Sequence, residues 1–212
     1  MRVLAWRVPP YDNGTYVVYD DRRDAVLIDP SMGEREALAG IRENGLRLVE
    51  ILNTHGHPDH ILGNAAVKEA TRARLAIHRA DAYRLGPARP PTTFEIPPCD
   101  ADDLFEAGPL AYIADLKITA LHTPGHTEGS TCFYIEGEGV LFSGDVIFRG
   151  STGRWDLPGG DREQMERSLE RVASLPPSTK VYPGHGAPTT IGAEVETLRE
   201  LRGAGILPGL RV

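Results

Sequence analysis

The chain has 212 residues, 41% of them apolar and 25% charged, enough for one globular domain with a self-sufficient core. With 23 basic against 30 acidic side chains the formal charge is −7, the wrong sign for a protein that gains affinity by neutralising phosphates, so no nucleic-acid partner is expected. No run approaches the roughly 20 apolar residues of a membrane helix, and the opening MRVLAWRVPPYD is broken by Arg7 without a small-residue cleavage site. The cysteines, Cys99 and Cys132, form neither a CxxC pair nor a disulfide framework, so the expected setting is reduced and cytoplasmic, away from membranes.

Taken in order, β-rich runs alternate with helical patterns. Residues 15–19 and 25–28 read as strands joined by a charged turn at 20–24. A helix is predicted at 34–42, closed by Asn44-Gly45, then a buried strand at 48–52, a helix at 61–71 and a short strand at 75–77. The proline-rich stretch 86–103 reads as an irregular connection long enough to serve function, and a lid over the site is one role for it. Strands follow at 116–121, 131–135 and 140–142, the last two as a hairpin around Gly137-Glu138-Gly139. A helix at 161–175, a strand at 181–182 and a helix at 193–202 complete the chain. This alternation predicts a single α/β domain over residues 1–212, with hairpins that make its sheets mixed.

The chemistry is concentrated at strand ends. Directly after the apolar run at 49–52 comes Thr54-His55-Gly56-His57-Pro58-Asp59-His60. In extended backbone, side chains at i and i+2 share a face, so His55 and His57 can hold one metal ion, and Pro58 disfavours α conformation at His57. A turn starting near Asp59 would aim Asp59 and His60 at a second point nearby. Clustering without cysteine suits an N/O site for Zn²⁺, Fe or Mn²⁺. The same design recurs in His122-Thr123-Pro124-Gly125-His126, in Ser143-Gly144-Asp145 and in Pro183-Gly184-His185-Gly186. In each a glycine precedes the potential ligand, which makes sense if four strand ends converge on one edge.

The motifs THGHPDH, HTPGHTEGS, SGD and PGHG, in this order from Thr54 to Gly186, resemble those of the metallo-β-lactamase superfamily. The resemblance implies an αβ/βα sandwich, two mixed β-sheets face to face with helices outside. It further implies two divalent metal ions, Zn²⁺ before Fe or Mn. His55, His57 and His126 would hold the first, Asp59, His60 and His185 the second, and Asp145 would bridge them. Five neutral imidazoles and two carboxylates would leave the pair of ions with about two net positive charges, enough to bring a shared water from a pKa of 15.7 towards ~7. The implied chemistry is attack of that hydroxide on a carbonyl carbon, with Asp59 as the catalytic residue orienting the nucleophile and moving its proton.

Within the superfamily, oxygen-reducing diiron members carry Glu where this chain has His57, RNA-processing members are longer and need basic surface, and secreted antibiotic hydrolases carry signal peptides. The segments HTPGHTEGS, SGDVIFRGSTGRWDLPGGD and YPGHGAPTTIGAE resemble glyoxalase II-like proteins (hydroxyacylglutathione hydrolases), especially the short form. That implies hydrolysis of a small S-acyl thiol to acid and thiol. Two departures bear on glutathione as the carrier: the longer family members continue into a helical segment beyond the position of Val212, and Ala187 stands where they have tyrosine. Persulfide dioxygenases, mono-iron enzymes with HTPGHT and a GRxD segment like Gly153-Arg154-Trp155-Asp156, are the alternative, and a non-catalytic metal-binding protein is a third reading. Arg154 is a candidate contact for an anionic substrate group or an ion-pair partner of Asp156. Asp29, before Pro30, either supports a ligand imidazole from behind or simply makes a turn. His78, His122 and Cys132 are assigned to packing or support, Cys99 to a loop, and Trp155 to core or pocket wall.

Overall fold

The computed structural model describes residues 1–92, 95–111, 116–207 and 209–212. It opens with an antiparallel meander, β1 (Arg2–Val8), β2 (Asn13–Tyr19) and β3 (Asp24–Ile28). The chain then turns parallel through α1 (Glu34–Glu43), β4 (Arg47–Leu52), α2 (Pro58–Ile61), α3 (Asn64–Thr71), β5 (Arg74–His78) and β6 (Asp103–Phe105). These strands make one sheet in the order β1-β2-β3-β4-β5-β6. The remainder supplies β7 (Gly108–Leu110), β8 (Ile118–His122), β9 (Thr131–Ile135), β10 (Val140–Gly144), the hairpin β11 (Ile147–Phe148) and β12 (Ser151–Thr152), α4 (Arg162–Ala173), β13 (Lys180–Pro183), β14 (Thr189–Thr190) and α5 (Ile191–Gly203). Its sheet runs β14-β13-β10-β9-β8-β7, parallel between β10 and β13 and antiparallel at its other pairs. Two mixed sheets flanked by helices are the expected αβ/βα sandwich.

The layers follow from strand alternation, which sends successive side chains to opposite faces. On β2, Tyr16 and Val18 enter the space between the sheets, whereas Val17 and Tyr19 face outward. Leu52 and Phe142 likewise point inward while Ile51 and Leu141 point outward. The outward face of the first sheet is covered by Ala37 and Ile41 of α1 and Val67 of α3. That of the second is covered by Met165, Leu169 and Val172 of α4 and Leu198 of α5, with Cys132 packed among them. Strands buried on both faces carry continuous apolar runs, and each fully buried Leu, Ile or Phe contributes roughly 1.5–3 kcal/mol. At the head of α4, Asp161 accepts a hydrogen bond from Gln164 N at 2.8 Å, closing an otherwise open helix end.

Several elements differ from the sequence reading. The helix expected at 61–71 forms as α3 from Asn64, and a separate short helix, α2, precedes it and ends at Ile61; at Gly63, between them, a side chain would stand 2.8 Å from Ser31 O and 2.9 Å from Pro30 Cβ. That close approach lets α2 end where the chain packs against the 30–31 turn. The strand expected at 116–121 runs from Ile118 to His122, and residues 112–115 lie outside the described residues. β1, β6, β7, β14 and the β11–β12 hairpin have no counterpart in that reading. Most of the described part of 86–103 is irregular, as expected, with residues 93 and 94 outside it. Among the described residues no helix is long and apolar enough to cross a membrane.

One core position is electrostatically costly. Glu50 of β4 is 2% exposed, and its Oε1 has no hydrogen-bond partner among the described residues. Burial first, then the neighbouring Asp103, pushes its carboxyl up to about 8 from 4.5. Below about 4.5 both folded and unfolded chains hold the proton and no penalty arises. Between 4.5 and 8 only the unfolded chain ionises, so stability falls, and above 8 the loss is complete. Glu50→Gln is therefore expected to melt close to the parent at pH 4.5 and on the order of 5 °C higher at pH 8.5. Melting curves across that range check it, and a gap independent of pH would contradict the assignment.

Candidate metal centre

β4 of the first sheet and β8, β10 and β13 of the second end at one rim of the sandwich. Beyond β4, His57 is extended (φ −71°, ψ 147°), which keeps His55 and His57 on one side, and Pro58 at the start of α2 turns Asp59 and His60 to a second point. The loop after β8 delivers His126, β10 delivers Asp145 and β13 delivers His185. One ligand atom each from His55, His57 and His126 lies within 4.8 Å of the others, and the same holds for Asp59, His60 and His185. Asp145 stands between the two triads: Oδ2 is 3.4 Å from His126 Nε2 and 3.3 Å from His185 Nε2, and Oδ1 is 3.4 Å from His60 Nε2. Gly184 makes this possible, because a side chain there would collide with Asp145 Oδ1.

The imidazoles are aimed by bonds on their outer nitrogens. His60 Nδ1 meets Asp29 Oδ2 at 2.9 Å, His126 Nδ1 meets the Arg154 carbonyl at 2.6 Å, and His185 Nδ1 meets the Tyr11 carbonyl at 2.8 Å. Each acceptor requires an N–H on that side, so in the neutral ring the Nε2 lone pair faces inward. For His55 the Thr54 hydroxyl donates to Asp29 Oδ2 at 2.6 Å, so its oxygen can accept from His55 Nδ1, 3.1 Å away. His55 Nε2 is then buried with no hydrogen-bond partner among the described residues, as is Asp145 Oδ1. His57 Nδ1 faces His126 Nε2 at 2.8 Å, and His60 Nε2 faces His185 Nε2 at 3.2 Å. Convergent lone pairs and orphaned buried acceptors are what a cation-binding cage requires, and the N/O donor set fits divalent Zn, Fe or Mn.

The electrostatics divide the rim. Burial drives His55 well below its ordinary value and His57 down to about 3, so both are neutral donors. Burial would lower His60 too, yet Asp145, Asp59 and Asp29 raise it to about 9. His185, against the same opposing burial, is raised to about 11 by its bonds to Asp145 and Asp59. Burial would raise both carboxyls, but His60 first among their neighbours holds Asp59 far below the carboxylate range and Asp145 at about 2. This side of the rim draws positive charge to itself.

Supporting residues that spacing does not reveal fasten the loops. Asp81, wholly buried, accepts from Gly56 N at 2.7 Å, Thr127 Oγ1 at 2.8 Å and Gly129 N at 2.7 Å, tying the His55–His57 loop to the His126 loop. Asn13 Nδ2 donates to Asp59 Oδ2 at 2.9 Å. Arg84, 1% exposed, reaches Glu128 Oε2 at 2.6 Å and the Pro158 carbonyl at 2.9 Å. The only sequence hints are that Thr54 opens the first motif and Asp81 follows a strand end. His78 and His122 stand apart from the cage, stacked on each other at 4.1 Å. Arg154 lies beside the site but is paired with Asp156 through two bonds of 2.9 and 2.8 Å, both side chains exposed. Trp155 packs partly buried against the second sheet's outer core. Asp29, at φ +46°, makes the turn before Pro30 and also bonds His60 and Thr54.

The family model described as the metallo-beta-lactamase superfamily matches residues 10–185. A hydroxyacylglutathione hydrolase of Synechococcus sp. is 36% identical over 188 residues, covering 87% of this chain and 68% of the relative. The solved structure of TTHA1623 in a di-iron-bound form is 34% identical with a TM-score of 0.78, covering 92% of this chain and 98% of that one. ETHE1 from Myxococcus xanthus is 27% identical with a TM-score of 0.81, covering 100% and 92%.

Asp81→Asn leaves the size of the clasp intact but replaces one acceptor with a donor facing N–H and O–H groups. Metal affinity, measured by competition with a chromophoric chelator, is expected to fall about 10–100-fold with unchanged far-UV circular dichroism. Unaltered affinity would show that the two loops hold their positions without this carboxylate.

Proposed function

The chain belongs to the metallo-beta-lactamase superfamily, and from that premise we propose that it is a dinuclear metal-dependent hydrolase that cleaves a thioester. In this reading His55, His57 and His126 hold one ion, Asp59, His60 and His185 the other, and Asp145 bridges them. The observation that carries it is the position of Asp145, within 3.4 Å of ring nitrogens from both triads. Zn²⁺ suits the donors, and the di-iron form of TTHA1623 makes iron a real competitor.

Bound divalent cations would supply Lewis-acid polarisation of the scissile carbonyl and activation of a water at neutral pH. The protein does the rest. Asp59, one oxygen held by Asn13, borders a cavity of about 870 Å³ and is placed to orient a water and take its proton. His57, His126, Asp145 and His185 line the floor of that cavity, and Tyr11 and Phe148 form part of its wall. The water oxygen bonds to the acyl carbon, the C–S bond breaks, and the sulfur leaves with the electron pair and takes up a proton. The products are an acid and a thiol. Arg154 would meet an anionic thiol carrier as half of an ion pair with Asp156. A small S-acyl thiol fits the cavity's size, and two free cysteines accord with a reduced, cytoplasmic setting.

The HTPGHT segment and Gly153-Arg154-Trp155-Asp156 support one competing reading, a mono-iron persulfide dioxygenase. Metal analysis separates the two: the hydrolase is expected to hold close to two ions per chain and to release thiol from S-acyl substrates without oxygen. A single iron with oxygen consumption would replace this proposal with the dioxygenase. Asp145→Ala is expected to lose bound metal and at least 100-fold in rate, and full retention of both would refute the bridging role. A metal-binding protein without catalysis would hold the ions and hydrolyse nothing.

A further inference from the structure

The wide cavity over the rim has a side chamber. A recess of about 180 Å³ opens beside His57, and its walls are mostly apolar, Gly56, Pro58, Pro90, Pro91, Leu157 and Pro158, with Thr92, Arg84 and Arg89 completing them. His57, Pro58, Pro91, Thr92 and Leu157 border both spaces, so the recess and the wide cavity adjoin beside His57. Both guanidiniums are held mainly by other groups: Arg84 Nη2 by Glu128 and the Pro158 carbonyl, with Nε 3.4 Å from Asp81 Oδ1, and Arg89 Nη2 by the Ile96 carbonyl at 3.0 Å, its Nη1 buried. Beside His185 the wide cavity is walled by Tyr11 and Phe148, while Arg154 borders it next to His126.

We propose that the substrate lies across the centre with a short, unsubstituted acyl chain in the proline-walled recess and its thiol carrier in the open trough beside His185. The proposal rests on the thioester-hydrolase reading and specifies its substrate class. At about the ~30 Å³ that a water claims in the liquid, 180 Å³ admits about six carbon-sized groups. Most of the wall gives such a chain apolar contact, and among the described residues Thr92 is its one hydroxyl, so a hydroxyl or carboxylate on the chain would lose more hydration than it regains. Burial of each added methylene in the transition state is worth roughly fourfold in kcat/KM. The preference therefore runs to butyryl over acetyl by about 15-fold, and to propionyl over its hydroxylated counterpart lactoyl by about 10- to 100-fold.

The test uses the metal-loaded protein and acetyl, propionyl, butyryl, lactoyl and succinyl thioesters of one simple thiol. Leu157→Trp, which fills the recess, is expected to bring the butyryl-to-acetyl ratio to about one. Leu157→Ala is expected to move the optimum to a longer chain. Melting temperature and metal content confirm that each variant is folded and loaded. If the parent hydrolyses the panel but prefers lactoyl or succinyl, or if neither variant moves the chain-length ratio, the recess is not the acyl site and the hydrolase reading still stands. If no thioester is hydrolysed, that reading fails, and calorimetry with acetate and butyrate decides the recess. Tighter butyrate binding that disappears in Leu157→Trp supports an aliphatic pocket, and equal affinities overturn it.

Discussion

The whole rim depends on hydrogen bonds that face away from it. A buried imidazole has two nitrogens and rotates readily unless one is tied, and a carboxylate in the same place repels its neighbours. Here Asp29, the Arg154 carbonyl and the Tyr11 carbonyl each claim the outer nitrogen of one histidine, and Thr54 relays Asp29 to another. With those positions filled, the ring orientations are fixed before any cation arrives, and a cation would meet inner nitrogens already aimed at it.

What could be read from the chain order follows the range of the interaction. The histidine motifs were legible because their geometry is local: alternation in extended backbone at His55 and His57, a proline to end it, and a glycine before His126, Asp145 and His185. The main strands were legible because both faces are buried and their apolar runs are continuous. Short pieces such as β6 and β7 carry too few residues for a period, and β1 is largely exposed with its alternation broken at Val3-Leu4. The break between α2 and α3 was hidden because its cause is the approach of Pro30 and Ser31, more than thirty residues earlier.

The supporting residues were hardest to see for the same reason. Asp81 sits 25 positions from Gly56 and 46 from Thr127, and no spacing rule connects an acid after β5 to two loops in different sheets. Asp29 left two readings open in the sequence, a turn or a prop behind a ligand, and it does both: its backbone is left-handed while its carboxylate bonds His60 and Thr54. Asp and Asn tolerate that conformation better than most side chains, which explains how one residue serves the bend and the bond.

The division of donors between the sheets has a thermodynamic corollary. His55, His57, Asp59 and His60 ride on one layer, and His126, Asp145 and His185 on the other. Under the proposed ligation each layer by itself would offer an incomplete coordination shell, so ion affinity and the docking of the two halves would be linked equilibria. A cation held by both halves acts as a non-covalent crosslink between segments remote in the chain, and any motion that parts the layers at this edge must first weaken its hold.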